Sequence, residues 1–195
     1  MRKATVERKT KETRIRVALN LDGSGNSRID SPIGFFNHLL ETFARHGGFD
    51  LSMQISGDIH VDPHHTIEDS GIALGTAFRK ALTDKKGIHR AGSFAFPMDE
   101  ALAWAAVDIS GRPYLKMTPN IKGKKYGDFD PECLEDFLAG FTTSLGASLH
   151  LKVCYGRSGH HKMEALFKSF ARAMREACSL DSRLSSVIPS TKEVL

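Results

Sequence analysis

No stretch of this 195-residue sequence comes near the roughly 20 consecutive apolar residues that a membrane-spanning helix requires. Met1-Arg2-Lys3 leads into no apolar segment of the secretory kind, so the expected location is the cytoplasm, with no membrane partner. Cysteine is scarce: Cys133, Cys154 and Cys178 are widely spaced and odd in number. This excludes a disulfide framework and a paired-cysteine zinc site, and the three read as buried apolar side chains. A continuous basic stripe with interleaved aromatics is also missing, and the net charge of +4 is scattered among acids. Nucleic acid is therefore not an expected partner; a small anionic ligand suits the cation excess at least as well.

What remains is ordinary for a globular protein, 41% hydrophobic and 26% charged, with nine histidines as the outlier. Two copies of one motif hold four of them: His64-His65-Thr66-Ile67-Glu68 and His160-His161-Lys162-Met163-Glu164. Each opens an amphipathic helical pattern. Residues four apart share a helix face, so His64 with Glu68, and His160 with Glu164, can each grip one cation. The second histidine of each pair points about 100° away and cannot join them. Two motifs thus imply two metals, each chelated by one motif and completed by the odd histidine of the other. Imidazole nitrogen with carboxylate oxygen suits manganese, iron or zinc and disfavours calcium.

The order of elements occurs twice. Arg14–Leu21 alternates as a strand, Phe35–His46 reads as a helix, and Phe49–Ile55 alternates again. Asp62 and Pro63 supply an N-cap and a first-turn proline for a long helix carrying Ile67, Leu74, Phe78, Ala81 and Leu82. In the second half Ala101–Ile109 is a strand, Asp130-Pro131 begins a helix, and Ser148–Tyr155 is a strand. Ser158 caps a helix carrying Met163, Phe167, Phe170, Met174 and Ala177. A lysine- and glycine-rich surface loop over Lys122–Phe129 is the main difference. Duplication is the economical reading: an α+β fold whose halves each form a four-stranded sheet with two helices on one face, the helices packed between the sheets. The first repeat is 1–88 and the second 89–195, with a polar tail over 180–195.

A lone histidine on a helix is usually a surface or core residue, but two equivalent motifs in a duplicated chain are harder to dismiss. Duplication points to further ligands on the earlier helix of each half, His38 and Asp136. One metal takes His38, His65, His160 and Glu164; the other takes His64, Glu68, Asp136 and His161.

These residues belong to a longer ordered set: Thr10-Lys11-Glu12-Thr13, the Phe36-to-His46 segment, His64-to-Asp69 and Pro97-Met98-Asp99-Glu100. The set continues through Asp108-Ile109-Ser110-Gly111-Arg112-Pro113, His160-to-Glu164 and Pro189-Ser190-Thr191-Lys192. Across essentially its whole length the chain resembles imidazoleglycerol-phosphate dehydratases of histidine biosynthesis. The resemblance implies a lyase that converts imidazole glycerol phosphate to imidazole acetol phosphate with two Mn2+ ions per active site. It also implies a homo-oligomer, a 24-mer with sites at subunit contacts. Asn37 and Asp136 depart from the family pattern, which usually has Asp and His there; a carboxylate at 136 remains a competent manganese ligand.

The hydrogen to be lost lies on a carbon with no adjacent carbonyl. A metal on an imidazole nitrogen favours imidazolate, which can expel the side-chain hydroxyl as water. Glu12 matches the family's substrate-contacting glutamate and is the expected proton-transfer group; Glu68 and Glu164 are the other catalytic carboxylates. The ligand set also contacts substrate, as does His46. Arg90, Arg112, Lys168, Ser190, Thr191 and Lys192 match the positions that hold the phosphate. His60, His89 and His150 read as surface or structural. The alternatives are a di-metal oxidase in a helical bundle, which would need more glutamates, and a metal-clamped shell protein, which has no use for the phosphate-type cations.

Overall fold

Alternation decides the central strands. In β2 (Thr13–Asn20) Thr13, Ile15, Val17 and Leu19 are buried while Arg14 and Arg16 face outward. Strand β4 (Asp50–Gly57) buries Leu51, Met53 and Ile55 beside them. With β1 (Lys3–Lys9), β3 (Ser27–Asp30), α1 (Gly34–Gly47) and α2 (His64–Leu82) they form the first half. The second half repeats the order with β5 (Ala91–Met98), β6 (Ala101–Asp108), β7 (Tyr114–Thr118), α3 (Cys133–Leu145), β8 (Ser148–Tyr155) and α4 (Gly159–Cys178). The computed structural model describes residues 2–121 and 125–195. Lys122, Gly123 and Lys124 of the expected surface loop lie outside the described residues.

The sheets run β1-β2-β4-β3 and β5-β6-β8-β7. Within each, the outer hairpin is antiparallel, whereas β3 pairs with β4, and β7 with β8, in parallel across a helix. A parallel neighbour needs such a crossover. The identical order in both sheets is the expected duplication, and the helices lie between the sheets. Their meeting surface is a phenylalanine cluster drawn from all four. Phe43 and Phe170 have ring centroids 4.9 Å apart, Phe141 and Phe170 5.2 Å, Phe36 and Phe137 5.4 Å, and Phe78 and Phe141 5.6 Å. Each such pair adds about 0.5–1.5 kcal/mol beyond its area burial.

The helices pair across the halves, α1 with α4 and α2 with α3. Backbone approach between α2 and α3 is close enough to require glycine. A Cβ at Gly71 would stand 2.0 Å from the Phe137 carbonyl oxygen, and one at Gly75 would stand 2.3 Å from that of Phe141.

Several local expectations need correction. The α2 boundary falls at Pro63, not Asp62, although Asp62 Oδ1 still accepts the His64 N–H at 2.8 Å. Helix α3 starts at Cys133, beyond Asp130-Pro131. Phe129, read as surface loop, is buried against the rings of Phe35 and Phe36. Cys133 and Cys178 are buried, but Cys154 is exposed, because it falls on the outward phase of β8. The tail returns to the linker between the halves: Ile88 bridges Leu180, and the Gly87 N–H donates to the Val187 carbonyl.

Candidate metal centres and active site

Cross-pairing of the helices puts residues from opposite halves side by side. His38, on the second turn of α1, faces the first turns of α4. There His38 Nε2 lies 2.9 Å, and His160 Nε2 2.7 Å, from the same oxygen, Glu164 Oε1. Two imidazole nitrogens and a carboxylate oxygen on one point form a donor set that fits a divalent transition ion. The His38 and His160 side chains are 45% and 46% exposed, whereas that of Glu164 is 10% exposed. The cluster is thus open on its histidine side.

On the other helix pair, His64 Nδ1 lies 3.3 Å from Asp136 Oδ2, and His64 Nε2 lies 3.9 Å from Glu68 Oε2. This second cluster is looser, and its three side chains are half-exposed. Cys133, one turn before Asp136, brings its sulfur within reach of both His64 and Asp136. Burial first, then nearby acids, pushes its thiol up to about 11, so it stands there as a protonated neighbour. The sequence had marked it only as an apolar residue; its i, i+3 spacing from Asp136 was the available signal.

His65 and His161 join neither cluster within one chain. His65 Nδ1 lies 3.1 Å from Asp58 Oδ2 and 3.8 Å from Glu12 Oε2. His161 Nδ1 lies 2.7 Å from Glu100 Oε2 and 3.8 Å from Asp99 Oδ2. Both imidazoles are held above their ordinary pKa, His65 chiefly by its hydrogen bond with Asp58 and His161 by that with Glu100. Of the expected four-ligand sets, His38, His160 and Glu164 come together, whereas in the second set Asp136 and Glu68 face opposite nitrogens of His64, and His65 and His161 stand apart from both.

Charge around Glu164 is balanced on its inner side. Lys168 Nζ lies 2.8 Å from Glu164 Oε2 and 3.2 Å from Met98 Sδ. Burial alone would raise the Glu164 pKa, but hydrogen bonds from Lys168, His38 and His160 hold it down to about 2. His46, two turns after His38, packs edge-on against Phe96 at 5.1 Å. Burial, then the charges of Lys168 and Arg172, lower its pKa. Phe35 walls the first cluster, its ring 5.0 Å from that of His160.

The expected phosphate cations divide. Lys168 is engaged with Glu164. Arg90 grips Asp108 through two bonds of 2.7 and 3.1 Å and donates to the Pro189 carbonyl at 2.9 Å. It thereby anchors the segment carrying Ser190, Thr191 and Lys192, whose end at Leu195 lies against Gly111, beside Arg112. Arg112 and Lys192 are exposed. His60, His89 and His150 are exposed as well.

Glu12 sits in the β1–β2 turn, its side chain 53% exposed. The turn is fixed by Thr10 Oγ1, which accepts the N–H groups of Glu12 and Thr13 at 3.1 and 2.9 Å. Thr13 Oγ1 in turn donates to the buried Asp69 at 2.5 Å, and Arg8 pairs with the same carboxylate at 2.7 Å. Asp69 lies four residues after His65, so this network indexes Glu12 against the α2 motif.

The chain is similar to known proteins over its whole length. Residues 31–174 match the family model for imidazoleglycerol-phosphate dehydratase. The chain is 53% identical over 195 residues to the imidazoleglycerol-phosphate dehydratase of Koribacter versatilis, with all of both chains covered. It is 51% identical over 195 residues to that of Thermoanaerobacter pseudethanolicus, again over both full lengths. Among solved structures, the Pyrococcus furiosus enzyme in complex with (S)-C348 superposes with a TM-score of 0.84 at 35% identity, covering 97% of this chain and 100% of that one. The Staphylococcus aureus enzyme gives 0.81 at 34% identity, covering 91% and 98%. With duplicated sheets, cross-paired motif helices and full-length similarity together, the chain belongs to the imidazoleglycerol-phosphate dehydratases, the hydro-lyases of histidine biosynthesis.

Proposed function

We propose that this chain removes water from imidazole glycerol phosphate to give imidazole acetol phosphate, with two divalent ions, manganese foremost, in each active site. The observation that carries the reading is the convergence of His38 and His160 on one oxygen of Glu164. His64, Glu68 and Asp136 would hold the second ion. The bound ions would supply electrophilic polarisation of the substrate's imidazole and favour its deprotonated form.

The protein's own groups have separate tasks in this reading. Glu12, free of hydrogen bonds at its carboxylate among the described residues, moves the proton at the substrate carbon. Lys168 neutralises the inner side of Glu164. Arg112, Lys192 and Ser190 take the phosphate, with Thr191 beside them and Arg90 holding their segment in place. His46 and the ligand histidines line the substrate's imidazole end.

A small-molecule site is normally concave. Two concavities of about 500 Å³ among the described residues lie on the outer face of the first sheet, along Lys3–Thr5, Ala18–Asn20 and Leu51–Ser52, and between Arg2 and Arg175. Neither is lined by a cluster histidine. Open, incomplete clusters fit sites completed by the His65 or His161 of another copy, within a cytoplasmic 24-mer. The test is to chelate the purified protein and then assay imidazole glycerol phosphate with and without added Mn2+. Ketone product only with metal supports the reading; product at full rate after complete chelation, or none with any divalent ion, refutes it.

A further inference from the structure

The hairpins β1–β2 and β5–β6 are equivalent in the repeat, and each carries a glutamate beside its turn, Glu12 and Glu100. Their surroundings are opposite. Glu100 Oε1 accepts the backbone N–H groups of Ser158 at 2.7 Å and Arg157 at 3.2 Å, while Oε2 faces His161 Nδ1 at 2.7 Å. The carboxylate is thus fixed by the chain entering α4, the helix that carries the histidine it touches. Glu12 has no such engagement. In the first half the histidine partner is Asp58, from the segment after β4, with Oδ2 3.1 Å from His65 Nδ1. Asp58 is tied to the hairpin through its N–H, which donates to the Glu12 carbonyl at 3.1 Å.

A carboxylate offers only acceptors, so an imidazole nitrogen against it must carry the proton. The other ring nitrogen then keeps a bare lone pair, as a metal ligand requires. We propose that Asp58 and Glu100 are positioning residues that fix the Nδ1–H form and ring direction of His65 and His161, so that Nε2 is the nitrogen each presents to a metal ion. Asp58 performs in the first half what the hairpin glutamate performs in the second, which leaves the Glu12 carboxylate without a hydrogen bond among the described residues. The inference rests on the proposed role of the two histidines as metal ligands.

Glu100→Gln tests it, because the amide is isosteric but has only one accepting atom. With its oxygen kept on the Ser158 N–H, the NH2 faces His161 Nδ1 and drives the ring proton onto Nε2. Mn2+ binding is measured by equilibrium dialysis on the chelated full-length protein, together with its thermal midpoint, for Glu100→Gln, Asp58→Asn, His161→Ala and His65→Ala. Glu100→Gln should weaken one of the two classes of Mn2+ site by about 10–100-fold, and Asp58→Asn the other, each leaving the remaining class at parental affinity. His161→Ala and His65→Ala should abolish the same classes. Should His161→Ala lose a class that Glu100→Gln keeps at parental affinity, the positioning role is overturned and Glu100 only anchors the start of α4. Full Mn2+ binding in His161→Ala and His65→Ala would instead overturn the metal reading itself. Equal weakening of both classes with a lower metal-free midpoint overturns the positioning role as well. If Glu100→Gln does not fold, Asp58→Asn decides by the same criteria.

Discussion

Lys168 Nζ stands 2.8 Å from Glu164 Oε2, so one turn of α4 carries both the carboxylate on which two histidines converge and the cation that balances it. Their side chains are 15% and 10% exposed, so the pair is largely withdrawn from solvent. Lys168→Met would leave Glu164 with the histidines alone. The metal-free protein should lose about 1.5–3 kcal/mol, the usual worth of a hydrogen bond to a charged group. Urea denaturation with and without Mn2+ measures it, and the loss should shrink when an ion takes over the charge. A change under about 0.5 kcal/mol would mean that Lys168 does not stabilise Glu164.

The pH dependence of the metal-free protein follows from two opposite shifts. The Glu164 pKa is depressed from 4.5 to about 2, so its stabilisation is complete above 4.5 and drains away as pH falls toward 2. His65 and His161 are raised above 6.5, so their contribution is complete below 6.5 and is lost as pH rises through the raised values. His46 is depressed, so its contribution is complete above 6.5 and falls away as pH drops below that value. Metal-free stability should therefore peak near pH 6.5 and decline on either side. The Mn2+-loaded protein should instead weaken on the acid side, since protonated histidines cannot ligate. Thermal midpoints across pH 3–8 check both; a metal-free midpoint that climbs from 6.5 to 8 would contradict the assignment.

Catalysis and substrate holding should separate by mutation. Glu12→Gln should retain metal and bind a substrate analogue, yet lose about 10²–10⁴-fold in kcat. Arg112→Ala or Lys192→Ala should chiefly raise KM, because phosphate is held in ground and transition states alike. Steady-state kinetics with metal content measured on each variant distinguishes them. Near-normal kcat in Glu12→Gln would remove that residue from the chemistry.

Asp136→His should keep or tighten the second metal site. The carboxylate lies 3.3 Å from His64 Nδ1 on a surface-lying cluster, and a longer imidazole supplies the nitrogen that transition ions favour. Metal titration of the chelated variant is the check, and weaker binding than the parent would count against the site.

The strands that were legible are those flanked on both edges. Strands β2, β4, β6 and β8 alternate fully buried with outward residues, and the helices keep a broad apolar face. The edge strands left little trace although four strands per half were expected. Among β1 residues only Val6 is fully buried, β3 is four residues with none buried, and β5 carries Pro97, which an edge tolerates. In the candidate site, spacing marked the pairs His64/Glu68 and His160/Glu164, and duplication pointed to His38 and Asp136. Glu100 stood out only as part of a motif and Asp58 not at all, because both reach their histidines from other loops and sequence separation carries no record of that approach.

Each cluster takes one helix from each half, a reciprocal exchange like that between swapped partners in a dimer. Two separate half-length chains arranged this way would build two identical clusters related by a two-fold axis, and every substitution would strike both. Covalent linkage removes that symmetry constraint. Here one cluster holds His38 where the other holds Asp136, and one hairpin glutamate is fixed by three hydrogen bonds while its counterpart's carboxylate has none among the described residues. Fusion thus lets the two candidate metal positions drift apart in their ligand sets while the fold stays doubled.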